Sequence, residues 1–318
     1  MKILITGANG FVGRPLCAEL LRREGHVRAA MRTAKLPIAG VEVAIVGGID
    51  GETDWGEALH GVDVVIHLAA RVHVMSDTSN DPLTEFRRVN LHGTENLARQ
   101  AVALGVKRMV YVSSIKVNGE ATSGRKKFNE MDVSNPQDPY GVSKWEAEQA
   151  LHQVAVETGL EVVIVRPPLV YGAGVKGNFA QMLKILTKGL PLPLASVNNQ
   201  RSLVYVENLV DFLILCATHP DAIGQTFLVG DGEDVSTSDL LRKLGIAMGY
   251  SAHLIPVPMF LLQAGALLLG KRDVAQRLCG SLQVDISKAQ SLLGWKPPFS
   301  LDEGLSRTAQ GYLHEKAA

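Results

Sequence analysis

The chain has few cysteines, no metal-ligand spacing and no net charge, and each absence makes a class of function less plausible. Three cysteines stand far apart among 318 residues without a Cys-x-x-Cys pair, which favours reduced thiols in a cytoplasmic protein. The nine histidines show no spacing typical of a metal site, so we expect none. Lysine plus arginine and aspartate plus glutamate both total 32, so the composition predicts no nucleic-acid partner.

Long hydrophobic runs are also missing. The most apolar stretch, residues 259–270, is shorter than the roughly 20 residues that a bilayer-spanning helix needs. We therefore expect no membrane span and predict a core or subunit-interface helix, with attachment to a membrane surface as the alternative. The chain starts directly with a predicted strand, so we expect no signal peptide.

Strand-like and helix-like segments alternate through the first half of the chain. Apolar, strand-like runs lie at residues 2–6, 27–31, 41–46, 62–68, 107–112 and 161–165. Predicted helices lie between them at residues 14–23, 55–59, 82–104 and 140–158. Strict alternation predicts an α/β fold with a doubly wound parallel sheet, whose ligands bind at the carboxyl ends of the strands.

The pattern loosens after Arg166, where prolines and glycines separate short strands from helices. We therefore predict a dinucleotide-binding domain over residues 1–168 and a smaller α/β substrate lobe over 169–318. Segments near 202–230 are expected to return to the main sheet.

Three glycines follow the first predicted strand: Gly7, Gly10 and Gly13, with Phe11 and Val12 before the last. A helix that begins here offers free N–H groups and the positive end of its dipole to a phosphate. Gly7 permits a tight turn, Gly10 lets phosphates approach the backbone, and Gly13 lets the helix pack closely on the strand. The pattern predicts a dinucleotide cradle, with an ordinary turn as the alternative.

Arg32 follows the second predicted strand, where NAD-specific proteins usually carry an acidic residue for the ribose hydroxyls. Its guanidinium suits a 2′-phosphate, which it can bind with two hydrogen bonds. Lys35 lies close by in the sequence. We therefore favour NADP(H) as the cofactor over NAD(H), although a solvated basic loop is also consistent with these residues.

Tyr140 and Lys144 stand four residues apart on a predicted helix and so share one face. An ammonium beside a phenol favours the phenolate, so we expect Lys144 to lower the pKa of Tyr140 for acid–base catalysis. Ser114 closes the fifth predicted strand, and its hydroxyl could hold a substrate oxygen against Tyr140. An ordinary exposed pair is the alternative interpretation of Tyr140 and Lys144.

Together these motifs resemble an extended short-chain dehydrogenase/reductase with a Rossmann-type sheet, in the NAD-dependent epimerase/dehydratase family. The resemblance runs nearly end to end and rests on Thr6-Gly7-x-x-Gly10-x-x-Gly13, residues 67–70, Asn90, Ser113-Ser114, Tyr140-x-x-x-Lys144, Arg166-Pro167, residues 177–179, Arg201 and residues 292–295. Within the family, the chain looks most similar to bacterial UDP-4-keto-6-deoxy-N-acetylglucosamine 4-reductases of surface-polysaccharide (O-antigen) synthesis.

The resemblance implies roles for individual residues. The implied catalytic residues are Ser114, Tyr140 and Lys144. The residues implied to line the cofactor are those of the glycine turn together with Arg32, Leu68, Ala69, Ala70, Asn90, Tyr140, Lys144 and Pro167. Those implied to contact a nucleotide-sugar substrate are Ser114, Lys116, Asn178, Phe179, Arg201 and Arg277. Many relatives are homodimers, so a homodimer is expected here.

Some positions depart from the family pattern. Gly48 replaces an aspartate that contacts adenine in many relatives. Leu169 replaces an amide residue with which epimerases of the family contact the sugar. Ile115 and Lys116 stand where sugar 4,6-dehydratases of the family carry an acidic pair, which argues against dehydration.

The predicted activity is therefore NADP(H)-dependent reduction of the C4 keto group of a UDP-linked 6-deoxy-HexNAc-type sugar. The alternative is a UDP-sugar 4-epimerase that uses NAD on UDP-glucose or UDP-GlcNAc. A steroid- or flavonol-type reductase and a non-catalytic NADP sensor rank below both.

Overall fold

A parallel sheet organises the protein in the computed structural model, which describes residues 1–33, 39–72, 81–124, 126–268, 270, 276 and 278–317. Its seven strands are β1 (Lys2–Thr6), β2 (His26–Met31), β3 (Glu42–Ile45), β4 (Val64–His67), β5 (Arg108–Val112), β6 (Glu161–Arg166) and β9 (Thr226–Leu228). Their order is β3-β2-β1-β4-β5-β6-β9, and every pairing is parallel. The predicted doubly wound α/β sheet is confirmed.

Helices cover both faces of this sheet, because alternate residues along each strand point to opposite sides. Ile3 and Ile5 of β1 join one apolar cluster, whereas Leu4 joins another. Within the described residues the α-helices are α1 (Gly13–Arg22), α2 (Gly56–Leu59), α3 (Pro82–Arg87), α4 (Gly93–Ala103), α5 (Pro139–Thr158), α6 (Gly177–Thr187), α7 (Val206–Thr218), α8 (Thr237–Met248), α9 (Met259–Leu268), α10 (Ser287–Leu293) and α11 (Leu301–Ala317).

A second, three-stranded sheet lies in the C-terminal half of the chain. Its strands are β7 (Leu169–Tyr171), β8 (Arg201–Tyr205) and β10 (Asp234–Val235), in the order β10-β8-β7. A third apolar cluster joins this sheet to residues of α6, α8 and α11. The strand β9 adds to β6 in the main sheet, while the division at residue 168 stays a prediction.

The helix predicted over 82–104 is interrupted. Asp81 caps α3 by accepting a hydrogen bond from the Thr84 N–H, and a π-helical turn at Arg88–His92 separates α3 from α4. Such turns add a residue to the helical repeat and are frequent at functional sites. Here the turn contains Asn90, which is buried.

The apolar stretch at 259–270 forms α9, but it is not a core helix. Phe260 is 67% exposed and Leu268 is 88% exposed. Across the described residues, no helix combines the length and the apolar character needed to cross a membrane.

Candidate active site

The glycine turn between β1 and α1 brings backbone atoms closer together than side chains would allow. Gly7 has a φ of +67°, and the Gly10 N–H donates to the Gly7 carbonyl at 2.9 Å. A Cβ on Gly13 would lie 2.2 Å from the Gly7 oxygen and 2.6 Å from the Cα of Ala8. No side chain caps the start of α1. Arg14 donates its N–H to the Gly10 carbonyl at 3.2 Å and Pro15 has no N–H, so the Gly13 N–H is the group in this turn that remains suited to a phosphate.

The residues that follow β4 lie beside this turn. The Thr6 hydroxyl accepts hydrogen bonds from the N–H groups of Leu68 at 3.2 Å and Ala69 at 3.1 Å, and lies 2.6 Å from Nδ1 of His67. A Cβ on Gly7 would lie only 3.0 Å from the Ala69 nitrogen. Two predicted cofactor-lining residues therefore lie directly against the cradle.

Asn90 contacts the chain just after Ala70. Its Oδ1 accepts from the Arg71 N–H at 2.8 Å, and its Nδ2 donates to the Arg71 carbonyl and to the Ser143 hydroxyl, both at 3.0 Å. Asn90 thus joins the loop after β4 to the helix that carries Lys144. These contacts show Asn90 positioning backbone; direct contact with a cofactor stays a prediction.

The three predicted catalytic residues meet at the carboxyl ends of β5 and β6. Ser114 lies two residues beyond β5 and caps a short 3₁₀ turn, where its hydroxyl accepts from the Lys116 N–H at 3.2 Å. Tyr140, in the first turn of α5, lies near the Ser114 hydroxyl, which favours its phenolate. One turn later, Lys144 donates from Nζ to the Val112 carbonyl at 2.7 Å.

The electrostatics of the pair differ from the sequence-based expectation. Burial raises the pKa of Tyr140 to about 12, and the Ser114 hydroxyl only partly opposes this. The Lys144 ammonium contacts the Val112 carbonyl and lies 4.2 Å from the centroid of the Tyr111 ring. The expected lowering of the phenol pKa by Lys144 is therefore wrong for the protein alone. Burial also lowers the pKa of Lys144 itself, to about 7.

Pro167 follows β6 on the same edge and is buried. Its carbonyl accepts from the Ile115 N–H at 3.0 Å, so it lies beside the turn that begins at Ser114. Arg32 follows β2 and is exposed at the carboxyl end of the sheet. Lys35 falls outside the described residues.

The predicted substrate residues have different environments. Asn178 is exposed in the first turn of α6. Phe179 is fully buried and stacks on Tyr171 with ring centroids 5.5 Å apart, so its side chain packs in the core of the lobe, and its substrate contact stays a prediction. Arg201 begins β8, and one of its guanidinium nitrogens donates to the Gly280 carbonyl at 3.1 Å. Burial lowers the pKa of Arg201.

Lys116 forms ion pairs with Glu120, at 2.9 Å, and with Asp138. These three side chains line part of a polar cavity of about 590 Å³ next to the first turn of α5. Asp138 also caps α5 by accepting from the Gly141 N–H at 2.6 Å. Arg277 falls outside the described residues, so its predicted substrate contact stays a prediction.

Sequence reasoning missed the polar contacts that hold these residues in place. Asp138 before Pro139 is a recognisable cap signal, since aspartate and proline are common at the first positions of a helix. Thr6 and His67 belong to the family motifs quoted above, but nothing in those motifs indicated the contact between their side chains. Across the described residues, no group of three or more histidine, cysteine, aspartate or glutamate side chains could hold a metal ion.

Comparison with known proteins identifies the family of the chain. Residues 3–230 match the NAD dependent epimerase/dehydratase family. A UDP-glucose 4-epimerase of Vibrio cholerae is 47% identical over 314 residues, which cover 98% of this chain and 95% of that protein. An N-acetyl-α-D-glucosaminyl-diphospho-ditrans,octacis-undecaprenol 4-epimerase of Escherichia coli O157:H7 is 27% identical, with coverage of 99% and 96%.

A solved structure extends the comparison to bound molecules. MoeE5 in complex with UDP-glucuronic acid and NAD superimposes with a TM-score of 0.80 and 26% identity, covering 99% of this chain and all of that one. The chain therefore belongs to the NAD-dependent epimerase/dehydratase family and is an enzyme of the short-chain dehydrogenase/reductase type. The close relative favours the epimerase alternative over the predicted 4-reductase, and NAD in MoeE5 gives no support to an NADP preference.

Proposed function

We propose that this protein is a UDP-sugar 4-epimerase that inverts C4 of UDP-glucose or UDP-GlcNAc with bound NAD(H). The main support is the proximity of Ser114 and Tyr140, with the buried Lys144 one turn further along α5, in a chain that shares 47% identity with a UDP-glucose 4-epimerase. The glycine turn fits a dinucleotide, because its backbone leaves no room for a Cβ at Gly13.

The cofactor, when bound, supplies the site that accepts and returns a hydride. Tyr140 takes the proton from the C4 hydroxyl and later returns it to the same oxygen. Ser114 donates a hydrogen bond to that oxygen and orients it. Because burial keeps the Tyr140 pKa near 12 in the protein alone, positive charge from Lys144 and the oxidised cofactor is needed to make the phenolate accessible.

A direct test incubates the purified protein with UDP-glucose and NAD and follows the sugar by proton NMR. We expect UDP-galactose to accumulate to equilibrium. In Tyr140→Phe the rate should fall about 10²- to 10⁴-fold, the usual contribution of acid–base catalysis. Tyr250→Phe, which removes the same hydroxyl from an exposed side chain, is the matched control and should retain full rate. Absence of C4 inversion with UDP-glucose and UDP-GlcNAc contradicts the proposal.

A second candidate is the NADP(H)-dependent 4-reductase of a UDP-4-keto-6-deoxy sugar. One observation favours it: Arg32 is exposed directly after β2, where a guanidinium suits a 2′-phosphate. A net reductase would consume one NADPH for each 4-keto sugar, whereas an epimerase leaves the total amount of reduced cofactor unchanged. Absorbance at the nicotinamide band separates the two.

A further inference from the structure

A buried ion pair joins the helix α5 to the strand β6 just behind the candidate site. The side chain of Glu148 is fully buried and that of Arg166 is 7% exposed. Nε of Arg166 donates to Oε1 of Glu148 at 3.0 Å, and a second guanidinium nitrogen donates to Oε2. A third donates to Oδ1 of Asn118 at 3.0 Å. The guanidinium is thus bound on two sides.

This arrangement needs an explanation beyond packing. Removing two charges from water is costly, and apolar residues of similar volume often stabilise a fold equally well or better. The ion pair instead joins three segments of the candidate site, α5, β6 and the turn after Ser114. Glu148 lies one helical turn after Lys144, Arg166 directly precedes Pro167, and Asn118 donates its N–H to the carbonyl of Ile115, next to Ser114.

Along α5, Lys144 is the charged residue of the site that lies closest to this ion pair. Apart from Glu148, the groups described next that face Lys144 are uncharged. From β5 the Tyr111 ring lies 4.2 Å from its Nζ. From β4 comes His67, which is uncharged near neutral pH because burial lowers its pKa to about 3. On α5 itself stand Tyr140 and Glu148, and the Glu148 carboxylate raises the Lys144 pKa against the larger effect of burial.

We propose that Glu148 and Arg166 are positioning residues that together set the charge of Lys144, the carboxylate favouring the ammonium and the guanidinium limiting that effect. The pair also holds α5, β6 and the turn after Ser114 in one register. The inference rests on the proposed role of Lys144 for its catalytic consequence, but the charge of Lys144 can be measured without turnover.

The two partners should act with opposite signs. Glu148→Gln removes the negative charge and leaves the guanidinium, so the titration midpoint of Lys144 should fall. Arg166→Gln leaves the carboxylate uncompensated, so the midpoint should rise. A shift of the Lys144 titration midpoint by one pH unit alters the ratio of ammonium to amine about tenfold at a given pH. Glu148→Asp keeps the charge and should restore most of the midpoint.

The test uses the full chain without cofactor, labelled with [ε-¹³C]lysine and titrated by NMR from pH 5 to 10. The Lys144 resonance is identified by its loss in Lys144→Arg. Glu161→Gln is the matched control. Glu161 pairs with the mostly buried Arg108, and these two residues lie at the amino ends of β6 and β5, at the edge of the sheet away from the site. The substitution removes a carboxylate from a buried arginine of the same sheet and should leave the midpoint unchanged.

Opposite shifts in Glu148→Gln and Arg166→Gln support the inference. An unchanged midpoint in both, or shifts in the same direction, overturns it. If one variant fails to fold, the sign of the other and the midpoint of Glu148→Asp decide. In the loaded enzyme the basic limb of the kcat profile should move with the midpoint. A wild-type protein that shows no epimerase activity refutes the proposed function and leaves the NMR result standing.

Discussion

Replacing Gly13 by alanine tests whether the close backbone approach in the glycine turn is what makes the cradle. The added Cβ would lie 2.2 Å from the Gly7 oxygen, 2.6 Å from the Cα of Ala8 and 2.8 Å from its carbonyl carbon. All three are backbone atoms, so no side-chain rotation relieves the overlap. The N-terminus of α1 must move away from the turn.

The expected cost is at the upper end of the range for overpacking, about 3 kcal/mol. For a chain of 318 residues this lowers Tm by about 4–5 °C, from the average unfolding entropy per residue. A displaced helix terminus also loses its interaction with the phosphates, about 1–2 kcal/mol in favourable geometry. NADH should therefore bind about tenfold more weakly.

Differential scanning calorimetry measures the first effect and NADH fluorescence titration the second. Gly265→Ala is the matched control: it is the same substitution in helix α9, at a position where an added Cβ meets nothing within 4 Å. There we expect unchanged NADH binding and a gain of up to about 1 kcal/mol from helix propensity. A Gly13→Ala protein with wild-type Tm and NADH affinity would refute the reasoning.

Two further predictions concern Arg32 and His67. Arg32→Asp should weaken NADPH binding relative to NADH by about tenfold or more if Arg32 contacts a 2′-phosphate, whereas an unchanged preference in a fluorescence titration favours NAD(H) as the cofactor. Because burial lowers the pKa of His67 to about 3, protonation favours the unfolded chain. The contribution of neutral His67 to the free energy of unfolding is fully present above about pH 6.5. It decreases as the pH drops toward 3, and about 2 kcal/mol is lost at pH 5. In urea unfolding at pH 5 and pH 7, the difference in unfolding free energy should be smaller for His67→Asn than for the wild type. An equal difference in the two proteins contradicts the low pKa of His67.

The order of strands and helices was predictable because it depends on local patterns. Continuous apolar runs between turn residues marked β1, β4 and β6, and the spacing of Tyr140 and Lys144 placed both on one helix. The predicted helix over 82–104 is present, but it contains a π-helical turn that the prediction did not include. A π-helical turn has no distinct hydrophobic period, so propensity alone cannot separate it from an α-helix.

The amino-acid sequence by itself determined the cradle, the sheet and the presence of the three candidate catalytic residues, since each follows from glycine geometry or from the periodicity of nearby residues. Only the tertiary structure decided the electrostatics. Lys144 contacts the Val112 carbonyl 32 positions away, and Arg166 meets both Glu148 and Asn118. These contacts depend on strand order and on helix crossovers, and burial there outweighs the pairwise attraction that sequence spacing suggested.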